Sequence, residues 1–185
     1  MPSSMQSQDH ARVTSILGDY KRFFSDLLSR AKALGIGIQG MRVGHLIYRT
    51  MTMEDYTKTR DALLALCKES VEKEFNARPI SILVLREPLM FEEGFECSII
   101  ELTAPKASTL CPSGLDGVGM VAEKQLKVFL ASYRHLLTGI KGEGTASQQA
   151  LITFDNGKTV KFYDCSLKDI VMSQGWIFES TQKTL

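Results

Sequence analysis

The order of strand-like and helix-like segments is the feature that most constrains the fold of this chain. Residues 42–50 alternate their side chains with the two-residue period of a β-strand, and a helical segment that begins at Thr52 follows them. Three more strand-like runs come next, at residues 70–77, 79–87 and 95–103. The pattern predicts a βαβββ unit over residues 42–104.

A second unit of the same order is expected over residues 116–164. Its elements are a short strand at 117–122, a helix at 123–138 and two strands at 150–154 and 158–163. Asn156-Gly157 lies between the last two runs and is the strongest short-range signal of a β-hairpin. The remaining strand has to lie in the loop-like segment before this hairpin. We therefore expect an α+β fold whose paired βαβββ modules form a curved sheet around a cavity.

An additional N-terminal helix is expected over residues 9–36, with Asp9 as its N-cap and Gly35 at its end. Its apolar residues recur at steps of three and four: Val13, Ile16, Leu17, Tyr20, Phe23, Phe24, Leu27, Leu28 and Ala31. Such a stripe is typical of a helix that packs on a sheet. Docking of a partner protein on this stripe is the alternative.

The domain boundaries follow from these elements. We expect a single domain over residues 9–178, which ends with a closing helix at 166–174 that Ser166 caps. Residues 1–8 are expected to be a disordered tail, and residues 179–185 a second tail.

The composition excludes some classes of partner. Lys and Arg total 22 against 21 for Asp and Glu, and the signs alternate along the chain, so no basic patch for nucleic acid is expected. No apolar run approaches the ~20 residues that span a bilayer, and the polar N-terminus does not resemble a signal peptide.

The four cysteines lack metal-ligand spacing and are expected to be reduced thiols. A cytoplasmic protein is the resulting expectation.

The residues with potential chemistry are His45, Arg49 and Glu101. His45 and Arg49 share one face of a strand, and Glu101 is a lone carboxylate at the end of an apolar run. A buried carboxylate needs a cation or a metal, and Arg49 is the candidate partner. The alternatives are a structural histidine and a buried ion pair without a catalytic role. These residues alone do not define an enzyme.

Four segments carry a family resemblance. The run Gly44-His45-Leu46-Ile47-Tyr48-Arg49 is similar to the Asp-His-Ile-Ser-Leu-Arg strand of YecM-type proteins, and Asn76-Ala77-Arg78-Pro79-Ile80 resembles their Asn-Gly-Arg-Pro-Ile. Ser98-Ile99-Ile100-Glu101-Leu102 matches their Ser-Ile-Val-Glu-Leu, and Lys161-Phe162 matches part of their closing segment. The chain thus resembles the YecM family and, more distantly, the vicinal-oxygen-chelate superfamily of glyoxalases and extradiol dioxygenases.

The resemblance implies a divalent metal ion (Zn, Mn, Ni or Fe) bound at the positions of His45 and Glu101. In the superfamily such an ion polarises vicinal oxygens of the substrate. The second half of this chain departs from the pattern, because Gly117, Gly119 and Tyr163 replace the segments that carry histidines in YecM-type chains. Two donors are fewer than the three that catalytic sites supply. We therefore expect a degenerate metal site, with a wider cavity beside the glycines.

The leading functional hypothesis is a YecM-like protein that binds a small anionic ligand in a polar cavity lined by His45, Arg49, Glu101 and Tyr163. Arg49 would hold the anionic group, while His45 and Glu101 donate and accept hydrogen bonds. One alternative is a metal-dependent lyase, isomerase or dioxygenase that uses His45 and Glu101 as ligands. The other is an interaction module that acts through the N-terminal helix.

Overall fold

The N-terminal segment forms two helices where the sequence pattern predicts one. In the computed structural model, which describes residues 4–106 and 111–181, α1 spans Ser4–Leu17 and α2 spans Tyr20–Ala33. The helix is interrupted at Gly18, whose φ of +80° suits glycine. Asp19 caps α2 by accepting a hydrogen bond from the Arg22 N–H. The apolar stripe continues across this break, so periodicity alone does not reveal it.

The predicted boundaries of this region are also wrong at the N-terminus. Asp9 lies inside α1 instead of capping it, and α1 begins at Ser4, within the expected disordered tail. Residues 1–3 of that tail lie outside the described part of the chain. At the other end α2 stops at Ala33, just before Gly35, whose φ is +77°.

The apolar stripe packs on the domain itself, as predicted. Val13, Leu17 and Phe24 are buried in the main core, and Leu28 is partly buried against it. The ring of Phe24 lies 4.5 Å from that of Phe91, between centroids. Because these side chains already fill the core, the stripe does not offer a free docking surface for a partner protein.

The first βαβββ module follows α2. Its elements are β1 (Arg42–Arg49), α3 (Met53–Leu64), β2 (Cys67–Phe75), β3 (Arg78–Met90) and β4 (Glu96–Thr103). Thr52 caps α3 as predicted, since its hydroxyl accepts a hydrogen bond from the Asp55 N–H at 3.0 Å. The segments that alternate in the sequence are therefore the strands of this module.

The second module repeats this order. Its elements are β5 (Gly114–Val121), α4 (Leu126–Tyr133), β6 (Gly139–Lys141), β7 (Gln149–Thr153) and β8 (Thr159–Tyr163). The strand that the sequence pattern left unlocated is β6, directly after Thr138. The helix predicted over residues 123–138 is shorter than expected, because Glu123 and Lys124 adopt positive φ angles of 47° and 65° that no helix accepts.

The C-terminal segment closes the fold. Ser166 caps α5 (Leu167–Ser173) by accepting a hydrogen bond from the Asp169 N–H at 3.1 Å, as predicted. The expected C-terminal tail is partly wrong, because β9 (Glu179–Ser180) pairs with β2 at the sheet edge. Residues 182–185 of that tail lie outside the described residues.

The strands of both modules join in one curved, unclosed sheet. Among the described residues its order is β6-β7-β8-β5-β1-β4-β3-β2-β9. β1 and β5 meet antiparallel at the centre, and each runs parallel to the last strand of its own module. Helices α1 to α4 pack on one face, where they bury the main core, and α5 packs on part of the other. The face opposite α1 to α4 carries His45, Arg49 and Glu101 and is called the site face below.

No described helix has the length and apolar character that a transmembrane segment requires. Cys67, Cys97, Cys111 and Cys165 are free thiols, as predicted, and the first two are buried.

Candidate functional site

His45 and Glu101 meet on the site face. The His45 Nε2 atom lies 3.2 Å from Oε2 of Glu101, and the two side chains are 1% and 13% exposed. The pairing arises because β1 and β4 are parallel neighbours in which Glu101 lies beside Ile47, one pleat from His45. These two predicted site residues are therefore brought together.

The imidazole of His45 is buried without a satisfied hydrogen bond. Within the described residues Nδ1 has no hydrogen-bond partner, and Nε2 has only the 3.2 Å contact with Glu101, which does not meet the strict geometry of a hydrogen bond. Burial lowers the pKa of His45 and outweighs the opposing effect of Glu101, so the ring is neutral at neutral pH. A neutral imidazole has one donor and one acceptor, and leaving both unpaired costs free energy.

Gly119 is the residue that makes room for this ring. It is the direct partner of His45 across the β1–β5 seam, and a Cβ atom placed on it would lie 2.7 Å from Nε2 and closer still to Nδ1 and Cε1. A Cβ atom on Gly117 would overlap the Thr159 carbonyl oxygen. The expected wider cavity beside these glycines is therefore wrong, since the His45 ring and neighbouring backbone occupy the space.

Glu101 is held as a carboxylate by cations. Burial raises its pKa, but the charges of Lys161, whose Nζ lies 3.9 Å from Oε2, and of Arg78, together with the contact that His45 makes, lower it to about 2. Lys161 lies on β8, the strand beside β5, and it reaches the site because it pairs there with Gly119 of β5. The sequence pattern did not single out this lysine, although its alternation with Tyr163 places both side chains on one face of the strand.

Arg49 pairs with Asp116, and the predicted pairing with Glu101 is wrong. Its Nη2 atom lies 2.7 Å from Oδ2 of Asp116. Arg49 is level with Thr103, one pleat beyond Glu101, while a bulge in β5 at Asp116 brings that carboxylate toward the guanidinium. The Nε atom of Arg49 is buried without a hydrogen-bond partner in the described part of the chain, and Nη1 contacts only the Cys111 sulfur at 3.6 Å.

More cations surround Asp116 and Arg49. Lys158 Nζ lies 3.8 Å from Oδ1 of Asp116. Burial and the charge of Arg49 lower the pKa of Arg78, and burial, Arg78 and Arg49 lower that of Lys106. Both pKa shifts are caused in part by neighbouring positive charge, so these cations act on one another. The group formed by Arg49, Arg78, Lys106, Lys158 and Lys161 is called the cation cluster below.

Tyr163 borders the site without offering its hydroxyl to it. Its ring lies 5.5 Å from that of His45, between centroids, and its hydroxyl donates to Oε1 of Gln149 at 3.2 Å. Burial raises the pKa of Tyr163 well above its ordinary value, so the phenol is neutral. The neighbouring Asp164 accepts a hydrogen bond from the Leu126 N–H at 2.8 Å and thus serves the start of α4.

The internal symmetry of the sheet identifies the second-module counterparts of the His–Glu pair. On β1, the residue two positions after His45 pairs with Glu101. On β5, the residue two positions after Gly119 pairs with Tyr163. Gly119 and Tyr163 thus occupy the positions equivalent to His45 and Glu101. Neither glycine nor the neutral phenol of Tyr163 completes a metal-ligand set there.

The donor set does not fit a firmly held divalent metal. The described residues contain no group of three or more His, Cys, Asp and Glu side chains that could hold an ion. His45 and Glu101 are two donors, and the Lys161 ammonium already neutralises the carboxylate. Of the metal-ligand positions that the resemblance implies, only those of the first module, His45 and Glu101, carry metal-binding side chains.

A surface groove lies elsewhere. Its volume is about 430 Å³, and it is lined by residues 41–44 and 93–99, at the N-terminal ends of β1 and β4. None of the predicted site residues His45, Arg49, Glu101 and Tyr163 lines it. The expected cavity is not open around His45 within the described residues, because the ring is 1% exposed beneath its neighbours.

The fold and the site define an α+β protein of two βαβββ modules with a buried His–Glu pair beside a cluster of cations. The family described as YecM protein matches residues 12–174, and the chain belongs to that family. A comparison with curated proteins finds no match.

The similarity to one solved structure supports the fold. The chain is similar to a structural genomics target, Protein EC4020, at 23% identity and a TM-score of 0.68, over 88% of this chain and 93% of that one. It is more weakly similar to hypothetical protein BH1468 from Bacillus halodurans C-125, at 13% identity and a TM-score of 0.48, over 67% of this chain and 94% of that one. A putative dioxygenase from Bacillus subtilis subsp. subtilis str. 168 is similar at 11% identity and a TM-score of 0.44, over 71% of this chain and 45% of that one.

Proposed function

We propose that this protein binds a small anionic ligand on the site face, through the cation cluster and the His45–Glu101 pair, without a firmly held metal. The observation that carries the proposal is the concentration of positive charge. Five cations act on two carboxylates, Glu101 and Asp116, in a chain whose formal net charge is only +1. Such a local excess attracts anions.

The unpaired donors support the same proposal. Arg49 Nε and both ring nitrogens of His45 are buried without hydrogen-bond partners in the described residues. Polar atoms in that state destabilise the folded protein unless a further group satisfies them. An oxyanion supplies acceptors for the guanidinium, and a hydroxyl or carbonyl group of the same ligand can pair with the imidazole.

The entry of a ligand requires side chains to move. The most exposed members at the centre of the site are Arg49 and Lys161, at 23% and 21%. Both have long, flexible side chains, whereas His45 is confined between Gly119 and Glu101. Lys161 is therefore the side chain that would swing aside to expose the imidazole.

Calorimetric titration with succinate and with inorganic phosphate tests the proposal. We expect saturable binding that weakens with salt, because the attraction is electrostatic. Arg49→Met should weaken it at least about tenfold, as expected for a lost charge-assisted hydrogen bond. Arg134→Met is the matched control, since Arg134 is a surface residue paired with Glu143. Equal binding by both variants, or none by the parent chain, would contradict the proposal.

A metal-dependent lyase, isomerase or dioxygenase is the second candidate. The feature that favours it is the His45–Glu101 pair, which brings an imidazole and a carboxylate, both common metal ligands, within 3.2 Å of each other. Elemental analysis of protein purified without chelators separates the two proposals. Stoichiometric metal that disappears in His45→Ala would favour the enzyme, and metal content equal in both would favour the binding protein.

A further inference from the structure

We infer that Asp116 sets the anion specificity of this site, as an internal competitor that a ligand must displace from Arg49, and that the site consequently prefers dianions. The inference rests on the proposed function, because it concerns the ligand of that same site. Dicarboxylates and phosphate monoesters are the ligand classes it names.

The position of Asp116 carries the inference. Its two oxygens contact Arg49 at 2.7 Å and Lys158 at 3.8 Å, and its charge also acts on Arg78 and Lys106. A single side-chain carboxylate thus lies where four cations converge, which is where a bound anion would be most stable. Asp116 is 18% exposed, so a ligand can approach it from solvent.

The guanidinium of Arg49 is only partly used by this contact. Asp116 engages Nη2, while Nε has no hydrogen-bond partner in the described residues and Nη1 has a weak sulfur contact with Cys111. A guanidinium that serves a structural pair alone is best satisfied by a bidentate carboxylate. The one-sided contact leaves donors that a ligand oxyanion can take when Asp116 turns away.

The preference for dianions follows from the charges that such an exchange involves. A monoanion that replaces the Asp116 carboxylate exchanges one negative charge for another and gains little. A dianion brings a second negative charge to Arg78, Lys106 and Lys158, which Asp116 alone does not neutralise. The cation cluster therefore favours the more highly charged ligand.

Succinate and its monomethyl ester test this inference, because they differ in charge and little in size. Calorimetric titrations should use the parent chain, Asp116→Asn and Asp116→Glu at low ionic strength. We expect the parent to bind succinate and to bind the monoester only weakly, and Asp116→Asn to bind both ligands more tightly, the monoester by about fivefold. Asp116→Glu keeps the charge and should keep the preference. Asp155→Asn is the matched control, since Asp155 pairs with Arg30 on α2, and should bind as the parent does.

The outcomes separate the two claims. If the parent binds succinate but Asp116→Asn binds the monoester no more tightly than the parent does, the role of Asp116 is overturned and the proposed function stands. If neither the parent nor Asp116→Asn binds succinate, its monoester or phosphate, the proposed function fails first. A thermal unfolding scan of each variant confirms that the titrations compare folded proteins.

Discussion

His45 and Gly119 face each other across the β1–β5 seam, and the imidazole ring fills the space that any side chain at position 119 would need. Gly119 therefore allows the His45 ring to pack directly against β5, and this contact confines the ring. This contact explains how a polar side chain that is 1% exposed keeps one orientation without a hydrogen bond.

Gly119→Ala should destabilise the protein by about 2–4 kcal/mol, because its methyl group overlaps a confined ring. Gly139→Ala is the control, since a Cβ atom there meets nothing within 4 Å, and it should change stability by less than about 0.5 kcal/mol. The double variant His45→Ala/Gly119→Ala should recover part of the loss. Urea unfolding measures all of these, and equal stability of the two glycine variants would refute the contact.

Phe24→Ala should cost about 3–5 kcal/mol, because Phe24 is buried and packs on Phe91 and Phe95. Phe75→Ala is a control of the same residue type, with Phe75 52% exposed at the end of β2, and should cost less than about 1 kcal/mol. Thermal unfolding compares the two variants. A Phe24→Ala protein as stable as the parent would instead favour docking of a partner protein on the N-terminal helices.

Glu101 should make stability depend on acid pH. Its folded-state pKa of about 2 lies below the unfolded value of about 4.3, so its stabilising contribution is present above that value and is lost as the pH falls toward 2. The difference in unfolding free energy between the parent and Glu101→Gln should shrink over this range. The surface variant Glu143→Gln should follow the parent at every pH, and a Glu101→Gln profile parallel to the parent would contradict the assignment.

Arg49→Met should cost only about 1–2 kcal/mol of stability. A larger loss would follow if its partner were the more deeply buried Glu101, whereas Arg49 pairs with the partly exposed Asp116. Asp116→Asn should cost a similar amount, and the double variant should cost less than the sum of the two. Strictly additive losses in a double-mutant cycle would show that the pair does not contribute.

The element order of the fold could be predicted from sequence, because strand and helix periodicity are local properties. The resemblance to YecM-type proteins brought His45 and Glu101 together at one site, whereas the local pattern indicated Arg49 as the partner of Glu101. Three features could not be predicted from sequence: the break at Gly18, the Arg49–Asp116 pair and the place of Lys161. The first lies within a continuous apolar stripe, and the others depend on a β-bulge and on strand register, which only the assembled sheet defines.

The chemical shift of the His45 imidazole during a succinate titration tests the central claim most directly. The chain has three histidines, and His45→Asn assigns the signal of the buried one. If an anion binds beside the His45–Glu101 pair, this signal should move saturably while those of His10 and His135 stay fixed, and Arg49→Met should abolish the movement. A His45 signal that remains unchanged, or that moves no more than the other two, would contradict the account.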